Sequence, residues 1–150
     1  MKVDYINLSL KSSPLKNNIL KEIENVIDSG WFINGPSNEE FDKKFAELSG
    51  TKFAVGVANG MDALIISLKA LGIGKGDEVI TPPNSYVATT SAIMLVGAKP
   101  IFVDVNYDLN ININLIEKKI TSNTKAIIPV HLTGKPLEID KLISLANKYS

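Results

Sequence analysis

Apolar residues at Ile19, Leu20, Ile23, Val26 and Ile27 recur at three- and four-residue intervals, which puts them on one face of a helix. That helix begins after Pro14 and stops at Gly30. Ser37 and Glu40 then stand at capping-box spacing ahead of Phe41, Phe45 and Leu48, and Gly50 closes a second predicted helix. From Lys52 the period changes. Phe53–Val57 is a short apolar run, Ala58-Asn59-Gly60 a turn, and Met61–Leu71 a helical stretch closed by Gly72, giving strand, turn and helix.

The alternation repeats three more times. Glu78–Thr81 leads into a helix over Tyr86–Val96, Pro100–Val105 into Leu115–Ile120, and Lys125–His131 into Glu138–Tyr149. Strands that are apolar throughout and alternate with helices predict an α/β fold, a mostly parallel sheet with helices on both faces. The four units are not sequence repeats, so no solenoid is expected. Leu109–Asn114 alternates either as a half-exposed strand or as an Asn-rich surface connection. The last helix runs into Ser150 with no return strand, so the sheet is expected to be truncated. The expected division is a helical segment over 1–50 and the first part of an α/β domain over 51–150.

Composition narrows the chemistry. Sixteen basic and sixteen acidic residues leave zero net charge, so no basic field is expected to hold nucleic acid or an anionic membrane. With no cysteine there is neither a disulfide framework nor a thiolate nucleophile, and the single histidine, His131, cannot build a metal site alone. The N-terminus lacks the apolar run of a signal peptide and no apolar stretch is long enough to span a bilayer, so the expectation is a cytoplasmic protein.

Two places at strand ends could carry chemistry. Around Asn59-Gly60-Met61-Asp62 a turn opens a helix, where free N–H groups and the positive end of the helix dipole favour an anion. Gly60 permits close backbone approach, and Asp62 could either cap its own helix or face a ligand. In Thr81-Pro82-Pro83-Asn84-Ser85-Tyr86 two prolines end a strand and an aromatic opens the next helix; Tyr86 could stack on a flat ring or pack into the core. Asp104, Thr133-Gly134 and His131 also lie at strand ends, His131 most simply as a structural residue. Neither a dinucleotide-binding glycine fingerprint nor a P-loop occurs, and Gly72–Gly76 reads as a turn.

Taken in order, Gly35-Pro36, Asn59–Leu64, Gly76–Ile80, Pro83–Thr89, Gly97–Val105, Thr124–Ile127 and Pro129–Gly134 resemble the DegT/StrS family of sugar-nucleotide aminotransferases over nearly the whole chain. The resemblance implies a fold-type I, aspartate-aminotransferase-like large domain that binds pyridoxal phosphate. It implies that Gly60, Met61 and Asp62 hold the cofactor phosphate and that Tyr86 stacks on the pyridine ring. Met61 stands where relatives often carry threonine, replacing a hydroxyl contact by backbone donation alone. The implied reaction moves an amino group, with glutamate as donor, onto a dTDP- or UDP-linked keto-deoxy sugar, in a homodimer. Two alternatives stay open: a pyridoxamine-phosphate-dependent 3-dehydratase of the same family, and a non-catalytic domain binding a phosphorylated ligand or a partner protein. The Schiff-base lysine and the aspartate for the pyridine nitrogen are expected after Ser150. None of Lys52, Lys69, Lys75, Lys99 and Lys125 has that context, so no catalytic residue is expected within residues 1–150.

Overall fold

The computed structural model describes residues 5–149 and separates into two units, Met1–Gly56 and Val57–Ser150. The first unit is helical: α1 (Leu8–Ser12), a 3₁₀ turn (Ser13–Leu15), α2 (Lys16–Ser29) and α3 (Pro36–Ser49). α2 follows the predicted apolar spacing and ends on left-handed Gly30, yet Ile19, Leu20, Ile23 and Ile27 remain about half exposed. α1 was not predicted. The expected capping box is absent as well: α3 starts on Pro36, whose fixed φ suits the first helical position, and Gly35 is its N-cap, so Ser37 already lies inside the helix. A Cβ on Gly35 would sit 3.1 Å from the Trp31 carbonyl and 3.2 Å from its ring, which accounts for glycine there.

The predicted strand over Phe53–Val57 does not form. A strand requires a neighbour to take its N–H and C=O groups, and this run has no ladder partner among the described residues. Phe53 and Val55 stay largely exposed.

The second unit runs α4 (Gly60–Ala70), β1 (Glu78–Thr81), α5 (Val87–Leu95), β2 (Lys99–Phe102), α6 (Ile113–Ile116) with a 3₁₀ turn, β3 (Thr124–Ile127) and α7 (Ile139–Lys148). The three strands are parallel in the order β2-β1-β3. They are shorter than the apolar runs suggested, because β2 ends at Phe102 and β3 at Ile127, although Ile128 N–H still donates to Ile80 C=O at 2.8 Å.

Successive residues of β1 point to opposite faces and build two cores. Val79 packs with Leu68, Ile73, Ile93 and Ala98, under α4 and α5. Ile80 packs with Val103, Ile111, Ile116, Leu137 and Leu142, under α6 and α7. Both β1 residues are fully buried, and each apolar side chain so placed contributes roughly 1.5–3 kcal/mol. Helices therefore cover both faces, as expected for an α/β sheet. The Asn-rich stretch is a connection with one antiparallel bridge, Val105 to Ile111, rather than a strand.

Candidate functional site

The chain crosses the sheet from β1 to β2 and then back past β1 to β3, so its direction reverses at β1. Parallel sheets open their ligand crevice at the carboxyl ends of the strands beside such a reversal. At the opposite, amino edge, the turns after α4 and α5 meet, since a Cβ on Gly97 would lie 3.4 Å from the Lys75 backbone. Both helices therefore aim their N-termini at the carboxyl edge.

α4 begins where Asn59 leaves extended backbone and its Oδ1 accepts the Asp62 N–H at 2.9 Å. Asn59 Nδ2 donates back to Asp62 Oδ2 at 3.0 Å, and Asn59 C=O accepts from Ala63 N–H at 3.1 Å. The Asp62 side chain thus shares a reciprocal cap with Asn59 at the start of its own helix. Its carboxylate is thereby drawn toward the cap. The N–H groups of Gly60 and Met61 find no acceptor among the described residues. A Cβ built on Gly60 meets nothing within 4 Å, so the backbone at the start of α4 is open on that side. Two free donors on the positive end of an 11-residue helix are an arrangement that favours an anion.

Tyr86 is the N-cap of α5 and is 77% exposed. Its ring does not pack into the core. It stands at this edge because Pro82 and Pro83 stop the strand and α5 then begins at once, with Thr89 N–H donating to Tyr86 C=O at 3.1 Å. Ser85 and Thr89 hydroxyls share a hydrogen bond of 2.8 Å across the same junction. Gly60, Met61, Asp62 and Tyr86 thus share one sheet edge, on the starts of two packed helices.

Three of the other strand-end residues make local hydrogen bonds. His131 Nδ1 accepts the Leu137 N–H at 3.1 Å, Asp104 Oδ1 accepts the Val105 N–H at 2.8 Å, and Gly134, at φ 79°, closes a turn onto His131 C=O. Asp108 bridges to Lys135 at 2.9 Å; that ammonium, followed by the Asn110 N–H, holds its carboxyl below the ordinary range. No cluster of three or more acidic, histidine or cysteine side chains suited to a metal occurs among the described residues, and no helix among them is long and apolar enough to cross a membrane.

Sequence reasoning passed over Asn59 and Asn84. Asn59 carries a usable signal, an N-cap residue type directly before a helix, but Asn-Gly equally signals a turn. Asn84 had none: its partner, the Leu109 carbonyl, is 25 positions away.

Comparison with known proteins places this edge in context. A family model, the DegT/DnrJ/EryC1/StrS aminotransferase family, matches residues 14–150. DesV of S. venezuelae, solved in complex with a ketimine intermediate, is 40% identical with a TM-score of 0.94, over 99% of this chain and 40% of that one. NtdA of Bacillus subtilis, with bound cofactor PMP, is 36% identical with a TM-score of 0.93, over 99% of this chain and 34% of that one. A GDP-4-keto-6-deoxymannose-3-dehydratase with a trapped PLP-glutamate geminal diamine is 33% identical with a TM-score of 0.79, over 84% of this chain and 34% of that one. The chain thus spans two fifths or less of these three structures, and its α/β fold is that of a fold-type I large domain in part. On the family match and these identities, the chain belongs to the DegT/DnrJ/EryC1/StrS aminotransferase family.

Proposed function

We propose that the whole protein is a pyridoxal-phosphate-dependent aminotransferase that moves an amino group from glutamate to a dTDP- or UDP-linked keto-deoxy sugar, working as a cytoplasmic homodimer. The observation that carries this reading is the pair of unclaimed N–H groups of Gly60 and Met61 opening onto the edge that also presents Tyr86. Family membership supports reading the anion as a cofactor phosphate and the flat partner as a pyridine ring. Both groups fit the residues present, a dianion facing a helix N-terminus and a ring facing an exposed, unstacked tyrosine.

Bound pyridoxal phosphate supplies the electron sink that makes amino transfer possible. The chain's own residues bind and orient. Gly60 and Met61 donate N–H groups to the phosphate, Asn59 keeps the Asp62 carboxylate turned toward the cap, and Tyr86 covers one ring face and excludes water from it. Met61 offers no hydroxyl, so phosphate binding here rests on backbone donors.

Similarity to the 3-dehydratase supports a second reading, in which the same edge holds pyridoxamine phosphate and the sugar loses a hydroxyl. Mass spectrometry of product from the whole protein, supplied with pyridoxal phosphate, glutamate and a keto-sugar nucleotide, separates the two. An amino group gained in place of the carbonyl oxygen supports transamination. Loss of the 3-hydroxyl without retained nitrogen supports dehydration, and no cofactor absorbance at all sinks both.

A further inference from the structure

The side chain of Asn84 is half used. Its Nδ2 donates to the Leu109 carbonyl at 3.0 Å, while its Oδ1 is buried and has no donor among the described residues. The amide cannot be turned over to relieve this, because that would set oxygen against the Leu109 oxygen. A buried acceptor without a partner costs about 1–3 kcal/mol, roughly as much as one good hydrogen bond returns. An apolar residue would serve stability as well.

The carbonyl that Asn84 grips is itself held in an unusual place. Leu109 has φ 66°, a left-handed conformation that a branched side chain adopts at a cost of about 1–2 kcal/mol. The turn around it closes on Leu109 N–H to Asn106 C=O and Asn106 N–H to Asn110 C=O, each at 2.9 Å. It is fastened below by Ile111, fully buried, and sideways by Asn110, 3% exposed, whose amide donates to Lys135 C=O. So Asn84 ties the 82–86 turn to a rigid, cross-braced loop rather than to a mobile one. On the other side of Tyr86, α5 begins. The exposed tyrosine is therefore fixed at both backbone flanks while its ring stays free.

We propose that Asn84 is a positioning residue: its bond to Leu109 sets the direction of Tyr86 at the carboxyl edge, and it serves that geometry rather than stability. The inference rests on the cofactor reading only for what Tyr86 meets, not for how Tyr86 is held. In the whole protein every tyrosine, including the four among residues 1–150, is replaced by 3-fluorotyrosine, and the Tyr86 resonance is assigned with Tyr86→Phe. Asn84→Ala is expected to shift or broaden that resonance in the cofactor-free protein while leaving Tyr149 and the melting temperature in place. Affinity for pyridoxal phosphate should fall about tenfold, the scale on which supporting residues act. Asn84→Gln, which restores an amide donor, should recover part of both signals. An unmoved Tyr86 resonance in Asn84→Ala overturns the proposal, as does a change accompanied by a large drop in melting temperature that Asn84→Gln does not reverse. Wild-type protein that takes up no pyridoxal phosphate, yet whose Tyr86 resonance responds to Asn84→Ala, sinks the cofactor reading and supports the positioning one.

Discussion

A single asparagine sets the start of α4. Asn59 caps the Asp62 N–H and, in the same stroke, holds the Asp62 carboxylate close, while the two preceding donors stay free. Asn59→Ala removes both contacts. The loss expected is about 1 kcal/mol, read as a lower urea midpoint, with Asn59→Ser keeping most of the stability. A midpoint unchanged by alanine would show that α4 is capped by something else. At this scale the sequence was only partly legible. Gly60 and Tyr86 announce themselves through local turn chemistry, but a residue such as Asn84 acts through a distant carbonyl, and no local pattern encodes that.

Elements that carry their own punctuation were read correctly. Glu78–Thr81 lies between a glycine turn and two prolines, and it forms the central strand. The run at 53–57 looks equally strand-like, but strand formation is decided by a neighbour, which local composition cannot report. At the amino edge one carboxylate links the central strand to β2 and to the turn that leads into β3. Glu78 accepts from the Thr121 hydroxyl at 2.6 Å and from Lys99 at 3.4 Å. The Thr121 hydroxyl above all, with help from Lys99 and against partial burial, holds the carboxyl below its ordinary value of 4.5. A carboxylate depressed by folding stabilises fully above its unfolded value, and that contribution disappears as pH falls through the lower folded one. Wild type should therefore melt above Glu78→Gln at neutral pH, and the gap should close on acidification below about 4.5. A gap that is constant from pH 7 to pH 3 would remove this link from the account.

For the molecule as a whole, apolar surface is the dominant fact. Phe32, Phe41, Leu48, Phe53, Leu71 and Val87 are each exposed by more than half. Exposed apolar area on this scale marks surface that other protein covers. Residues 1–150 expressed alone are expected to self-associate in light scattering and to show no transamination with glutamate and a keto-sugar nucleotide. Turnover by that piece would mean that a lysine among these residues does the work assigned to a later one.

The sheet writes its two duties on opposite rims. Glu78 fastens the amino rim, Tyr86 lies beyond the carboxyl rim, and between them run the other three residues of β1 at roughly 3.3 Å apiece. Engineering can exploit that separation. Crosslinks, stabilising charges or an immobilising tether placed around Glu78, Lys99 and Thr121 would harden the scaffold for industrial use without entering the chemistry, whereas directed evolution of substrate preference should confine its libraries to the loops of the other rim.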